Sequence, residues 1–161
     1  MSPKTDADEF AEFYGATYER LIAFLLRSGS SRPDADDFAQ EAMLSLLKVW
    51  PSATNRTAYV YKAAIRTLIT ERSRRRRDLA LVVKMAKLRT FAAPEPQTEV
   101  REVLQALRTL KPEQRLVMAL TVDGFRPTEI AALTARSPAT VRSNLRLARE
   151  NLVRKLVKTV E

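Results

Sequence analysis

The 161 residues suffice for one medium domain or two small ones, and 45% are apolar, enough for a core. The chain has no cysteine and no histidine, which excludes disulfides, thiolate zinc sites and catalysis built on a thiol or an imidazole. The net charge of +9 is uneven: residues 1–41 hold nine Asp/Glu against four Lys/Arg, and the rest hold ten against twenty-four, so the body suits a polyanion such as nucleic acid and the head a basic partner.

Leu, Ala, Arg, Glu and Lys dominate and glycine is scarce, which favours an all-α fold. Over residues 6–28, Phe10, Tyr14, Thr17, Leu21 and Phe24/Leu25 form one helical stripe, with Asp6 and Glu9 as a capping pair. GSSRPD, 29–34, breaks this helix. A second helix, 34–50, turns Phe38, Ala42, Met43, Leu46, Leu47 and Trp50 inward, and Pro51 ends it. A third, 57–77, has the inner seam Val60, Tyr61, Ala64, Ile65 and Leu68 and ends on the arginine run 74–77. Together these make one bundle, 6–77. Residues 78–98 read as a linker with a short helical start and a Pro-Glu-Pro end. A second domain, 99–158, holds helices at about 99–110, 112–122, 127–134 and 138–158, with Pro112, Pro127 and Pro138 as first helical residues and Gly124 as a stop.

Three surfaces carry chemistry. On the second helix Asp37, Glu41, Leu44 and Lys48 share an outer face, with Gln40 beside them. Carboxylates at i and i+4 around an exposed Leu suit a basic helical partner; Asp34, Asp36 and Asp37 also suit a helix N-terminus electrostatically. The loop Thr54, Asn55, Arg56, Thr57 leads to a face with Tyr59, Lys62 and Arg66, an aromatic among cations that suits single-stranded DNA, and Arg74 and Arg75 add sequence-independent affinity. Residues 124–150 form a helix-turn-helix pattern: Ser137 caps a helix with the inner face Val141, Leu145, Ala148 and Leu152. Its early and outer positions hold Thr140, Arg142, Ser143, Asn144, Arg146 and Arg149, which can reach base edges and phosphates in a major groove. No nucleophile–base pair, phosphate-cradling glycine loop or converging metal ligands occur in the pattern, so no enzyme, metal or cofactor is expected. With no signal core and no membrane-length apolar run, a soluble cytoplasmic protein without membrane insertion is expected.

In the order and spacing of DADDFAQEAMLSLLKVW (34–50), AYVYKAAIRTLITERSRRRR (58–77) and LKPEQRLVMALTVDGFRPTEIAALTARSPATVRSNLRLAR (110–149), the chain resembles the extracytoplasmic-function group of bacterial sigma factors. The resemblance implies two helical modules, sigma regions 2 and 4. It implies that Asp36, Asp37, Gln40, Glu41 and Leu44 bind the clamp helices of the largest subunit of RNA polymerase, with the flap as a further contact. By the same resemblance, residues 52–57 with Tyr59, Lys62 and Arg66 melt and read the −10 element, and the helix after Ser137 reads the −35 element. Residues 78–98 would thread toward the polymerase cleft, and an anti-sigma factor would be a further partner. The chain departs from the family pattern at Tyr59, Arg66, Ala135, Arg136 and Leu147. A stand-alone helix-turn-helix regulator and a sigma-like interaction module without initiating activity are the alternatives; no heptad seam offers the first a dimer interface.

Overall fold

The computed structural model describes residues 2–82 and 98–160. Seven α-helices make up the fold: α1 (Asp6–Arg27), α2 (Arg32–Lys48), α3 (Arg56–Val82), α4 (Thr98–Arg108), α5 (Pro112–Val122), α6 (Pro127–Thr134) and α7 (Pro138–Val160). No strand occurs among the described residues. The fold is all-α, as the composition implies.

The breaks follow local chemistry. Thr5, not Asp6, caps α1: its hydroxyl accepts from the Asp8 amide at 3.2 Å while the Asp8 carboxylate takes the Thr5 amide at 3.0 Å. Gly29, at φ +100°, ends the turn after α1 in a conformation that favours glycine. Ser31 accepts from the Asp34 amide, so α2 starts at Arg32, two residues before the expected start, with a proline in its first turn. Trp50 lies beyond α2 in a single 3-10 turn, Trp50–Ser52. The third helix runs past residue 77 to Val82, because Asp78, Leu79, Ala80 and Leu81 contain no helix breaker. Of the expected linker, 83–97 lies outside the described residues. Prolines open α5, α6 and α7 at the anticipated positions.

Helices α1–α3 pack around Leu21, Phe24, Leu25, Ala39, Leu46, Val60, Ala64 and Trp50, all buried. Leu47, expected inside, is 46% exposed: the buried arc of α2 is completed by Ala35, Ala39, Ala42, Met43 and Leu46. Trp50 meets the edges of Phe10 and Phe13, and the Arg56 guanidinium lies 3.6 Å from its ring centroid. Helices α5–α7 pack around Val117, Leu120, Ile130, Val141 and Leu145, and this set of buried side chains is continuous with that of α1–α3.

The joint between the two sets centres on Tyr61, which is 1% exposed. Its ring packs between Phe24 and Phe125, and its hydroxyl donates to Asp123 Oδ2. Asp123 Oδ1 accepts from Arg27 at 3.0 Å. Burial first, and then the Asp123 carboxylate, push the Tyr61 phenol well above its usual range, so it stays a donor.

Two predictions follow from local geometry. Ala135 holds a left-handed conformation (φ 53°) at the exposed end of α6, where a β-carbon is costly. Ala135→Gly therefore raises stability by about 1 kcal/mol in urea denaturation, since it relieves that strain without touching the core. Asp123→Ala removes the acceptor of a buried hydroxyl and the partner of Arg27. It lowers stability by about 2 kcal/mol, and hydrogen exchange speeds up at the α3–α6 contact before it does in the α1–α2 core.

Candidate functional site

On α2, Asp37, Gln40, Glu41 and Leu44 are exposed on one side; Leu44 is 58% exposed among polar neighbours. Asp36 is half-buried, paired with Arg32 at 3.4 Å, and its carbonyl accepts from the Tyr18 hydroxyl at 3.5 Å. Asp37 and Glu41 form no ion pair among the described residues, so both carboxylates face solvent with their charge available. The geometry is an acidic ridge with one apolar contact point, built on a helix whose opposite side is fixed in the core.

The second surface begins at the loop before α3. Thr54 and Thr57 are exposed, and the Asn55 side chain accepts from the Ala58 amide at 3.0 Å, capping α3. Arg56 does not project: it stacks on Trp50, donates to the Trp50 carbonyl at 3.4 Å and pairs with Glu9 at 3.5 Å. Tyr59, Lys62 and Arg66 are exposed along α3, opposite the buried Val60, Tyr61, Ala64 and Ile65. Tyr59 and Lys62 line a cleft of about 410 Å³ whose far wall is α6, with Phe125, Glu129 and Leu133.

The arginine run is less uniform than its sequence. Arg74 pairs with Glu71 at 2.5 Å, and Arg75 pairs with Asp34 at 2.7 Å and Glu71 at 3.3 Å. The Arg75 hydrogen bond holds the Asp34 carboxyl below its usual range, and the Arg74 bond does the same for Glu71. Arg75 thus fastens α3 to α2. Sequence spacing could not show this tie, because the pair spans two helices.

The third surface is the first half of α7. Ser137 caps it, accepting from the Thr140 amide at 3.1 Å. Thr140, Arg142, Ser143 and Arg149 are exposed and Asn144 is half-buried, while Val141, Leu145 and Ala148 are buried. Arg146 pairs with Glu150 at 2.8 Å, an exposed pair that costs little to exchange for a phosphate. Arg142 and Arg149 pair with no carboxylate among the described residues. Helix α6 packs behind α7 through Ile130, Ala131 and Leu133, leaving the polar side of α7 free. No group of His, Cys, Asp or Glu that could hold a metal occurs among the described residues.

This order of parts agrees with comparisons to known proteins. The family model for sigma-70 region 2 matches residues 13–78, and that for sigma-70 region 4 matches residues 100–152. No curated protein matches the chain in sequence. Among solved structures, the fold is similar to the sigma factor RpoE in its co-crystal structure with the anti-sigma factor NepR from Bartonella quintana. The TM-score is 0.78 at 20% identity, covering 93% of this chain and 97% of that one. Regions 2 and 4, in that order, account for both helical sets, and the chain belongs to the sigma-70 family, with the two-region organisation of its extracytoplasmic-function group.

Proposed function

We propose that the protein is a sigma factor that directs core RNA polymerase to particular promoters and helps to open them, acting by binding rather than by catalysis. The observation that carries this reading is the pairing of region 2 and region 4 matches with three solvent-facing surfaces of suitable charge. The acidic ridge Asp36, Asp37, Gln40, Glu41 and Leu44 meets the basic clamp helices of the largest polymerase subunit, and residues 99–158 reach the flap. Thr54, Asn55, Thr57, Tyr59, Lys62 and Arg66 hold the melted −10 strand, with Tyr59 as the stacking ring and the cations on phosphates. Arg56 contributes by fixing the loop through Trp50. Ser137, Thr140, Arg142, Ser143, Asn144, Arg146 and Arg149 present the start of α7 to the −35 major groove.

In the described arrangement, the face bearing Tyr59 and Lys62 looks across a cleft at α6. A single strand lying on that face needs α6 to move away, so we take this as the resting form of the free factor. Polymerase, gripping the two regions separately, supplies the energy of opening and holds the DNA-reading surfaces at the required spacing. The solved neighbour is bound to an anti-sigma factor, which supports a partner of that kind here. No helix among the described residues is long and apolar enough to cross a membrane, in keeping with work in the cytoplasm.

Reconstitution tests this. With core polymerase, the protein starts run-off transcripts from a subset of genomic promoter fragments; a folded protein that starts none overturns the reading. The docking face has its own test. Reversing Asp37 and Glu41 together to Lys weakens core binding at least about a hundredfold without changing the circular dichroism spectrum. Unchanged binding moves the docking face elsewhere.

A further inference from the structure

Where the turn after α1, the end of α3 and the start of α5 meet, the structure leaves a cavity of about 190 Å³. Four guanidinium groups line it, from Arg72, Arg75 and Arg76 on α3 and Arg115 on α5, against two carboxylates, Asp34 and Glu71. Both carboxylates are already committed, Asp34 to Arg75 at 2.7 Å and Glu71 to Arg74 and Arg75. Arg72, Arg76 and Arg115 therefore line the cavity with no carboxylate in ion-pair contact among the described residues; Glu113, the nearest further carboxylate to Arg72, acts on it only at longer range.

Two of the three are held in place by backbone carbonyls. Arg72 donates to the Ser28 carbonyl at 3.1 Å. Arg115 donates to the carbonyls of Leu107 at 3.1 Å, Arg108 at 3.3 Å and Leu110 at 3.1 Å, at the end of α4. Carbonyl dipoles orient a guanidinium without neutralising it. Burial, and then Arg115, lower the proton affinity of Arg72; burial, and then Arg108, do the same to Arg115. Like charges held together out of water are costly, and an arginine cannot relieve that cost by losing its proton. The turn after α1 closes the cavity on its remaining side. Ser30, which lines the cavity, has a buried hydroxyl with no partner. Gly29, beside it, lies under the Arg115 guanidinium, where any β-carbon would collide with Arg115 Nη1.

We infer that this seam is a binding site for a small phosphate-bearing anion, free or as the phosphate end of a nucleotide, held by Arg72 and Arg76 on one side and Arg115 on the other. Planar guanidinium forks match phosphate oxygens. The ligand touches α3 and α5 at once, so it binds only while the two helical sets are packed together. By mass action it stabilises that arrangement and opposes the opening that DNA binding requires. The inference rests on the approach of Arg72 and Arg76 to Arg115 in the free chain and not on its role with polymerase, so the test is run without polymerase.

Thermal unfolding and titration calorimetry of the full chain, at constant ionic strength, are made with inorganic phosphate, pyrophosphate, GDP and GTP. Saturable one-to-one binding with a rise in Tm is expected for pyrophosphate or for the nucleotides. Equal affinities mean that the phosphates alone are recognised; nucleotide-only binding means that the base contributes; either supports the site. Arg76→Gln is the discriminating variant, since Arg76 is exposed and forms no hydrogen bond or ion pair among the described residues. It weakens binding about tenfold or more, the loss expected for one charged hydrogen bond, while Arg77→Gln, the same charge change one position along, leaves affinity unchanged. Three results overturn the proposal. These are no saturable binding at millimolar ligand, equal losses in the two variants (an adventitious ion only), and tighter Arg76-dependent binding of a short DNA strand than of pyrophosphate.

Discussion

The packing of this protein turns on one buried hydroxyl. Tyr61 lies too deep to hydrogen-bond to water, and its ring is needed on both sides, by Phe24 and by Phe125. A hydroxyl in that position is costly unless it finds an acceptor. Asp123 provides one from the end of α5, where a carboxylate is disfavoured by the helix dipole. The Arg27 guanidinium offsets that, and Arg20 takes the Asp123 carbonyl at 3.5 Å. Each of these groups is unfavourable alone and acceptable together, which ties α1, α3 and α5 into a single arrangement.

The tie sits on the same helix as the surface proposed to read melted DNA. Tyr59 and Tyr61 are two positions apart on α3 and point to different sides. One side is locked to Asp123 and Phe125, and the other faces the cleft that α6 closes. A rigid α3 serves both purposes: it keeps Tyr59, Lys62 and Arg66 in register, and it gives region 4 a firm surface to rest on. The two uses compete for the same cleft. A joint whose polar part is the Tyr61 hydroxyl bond and the Arg27 and Arg20 contacts to Asp123, beside a continuous apolar seam, must be broken for that cleft to take DNA.

Much of the architecture was legible because it is written in local rules. Prolines at 112, 127 and 138 mark helix starts, Ser137 caps α7, and the period of Val60, Ala64 and Leu68 marks the face of α3 that is buried. Leu44 stood out as an apolar side chain on a polar face, and it is exposed. What stayed illegible depends on distance in sequence. Tyr61 and Asp123 are 62 positions apart, and no periodicity joins them. Leu47 fits the helical period of the core side but falls at its margin, where α2 has no neighbour to cover it. Arg56 looked like a loop cation waiting for a phosphate; only the fold shows Trp50 beneath it and Glu9 beside it.

The arginines make the same point about charge. In sequence, 74–77 are four equal cations at a helix end, and a helix end favours them all alike. In the fold they differ, because neighbours on α2, α3 and α5 sort them. Arg75 spends its charge on Asp34, and Arg74 on Glu71, while Arg76 lies near Arg72 and Arg115 and forms no ion pair among the described residues. A positive charge attracts an anion in proportion to what is left after its own partners are counted. By that measure the seam between α3 and α5 has the more concentrated unspent charge, in partly desolvated surroundings, and the outer face of α7 has it dispersed in water. Dispersed charge suits a long polyanion followed along a groove, whereas concentrated charge with fixed donors suits a compact one. The same residue type, through its neighbours alone, equips one chain for both.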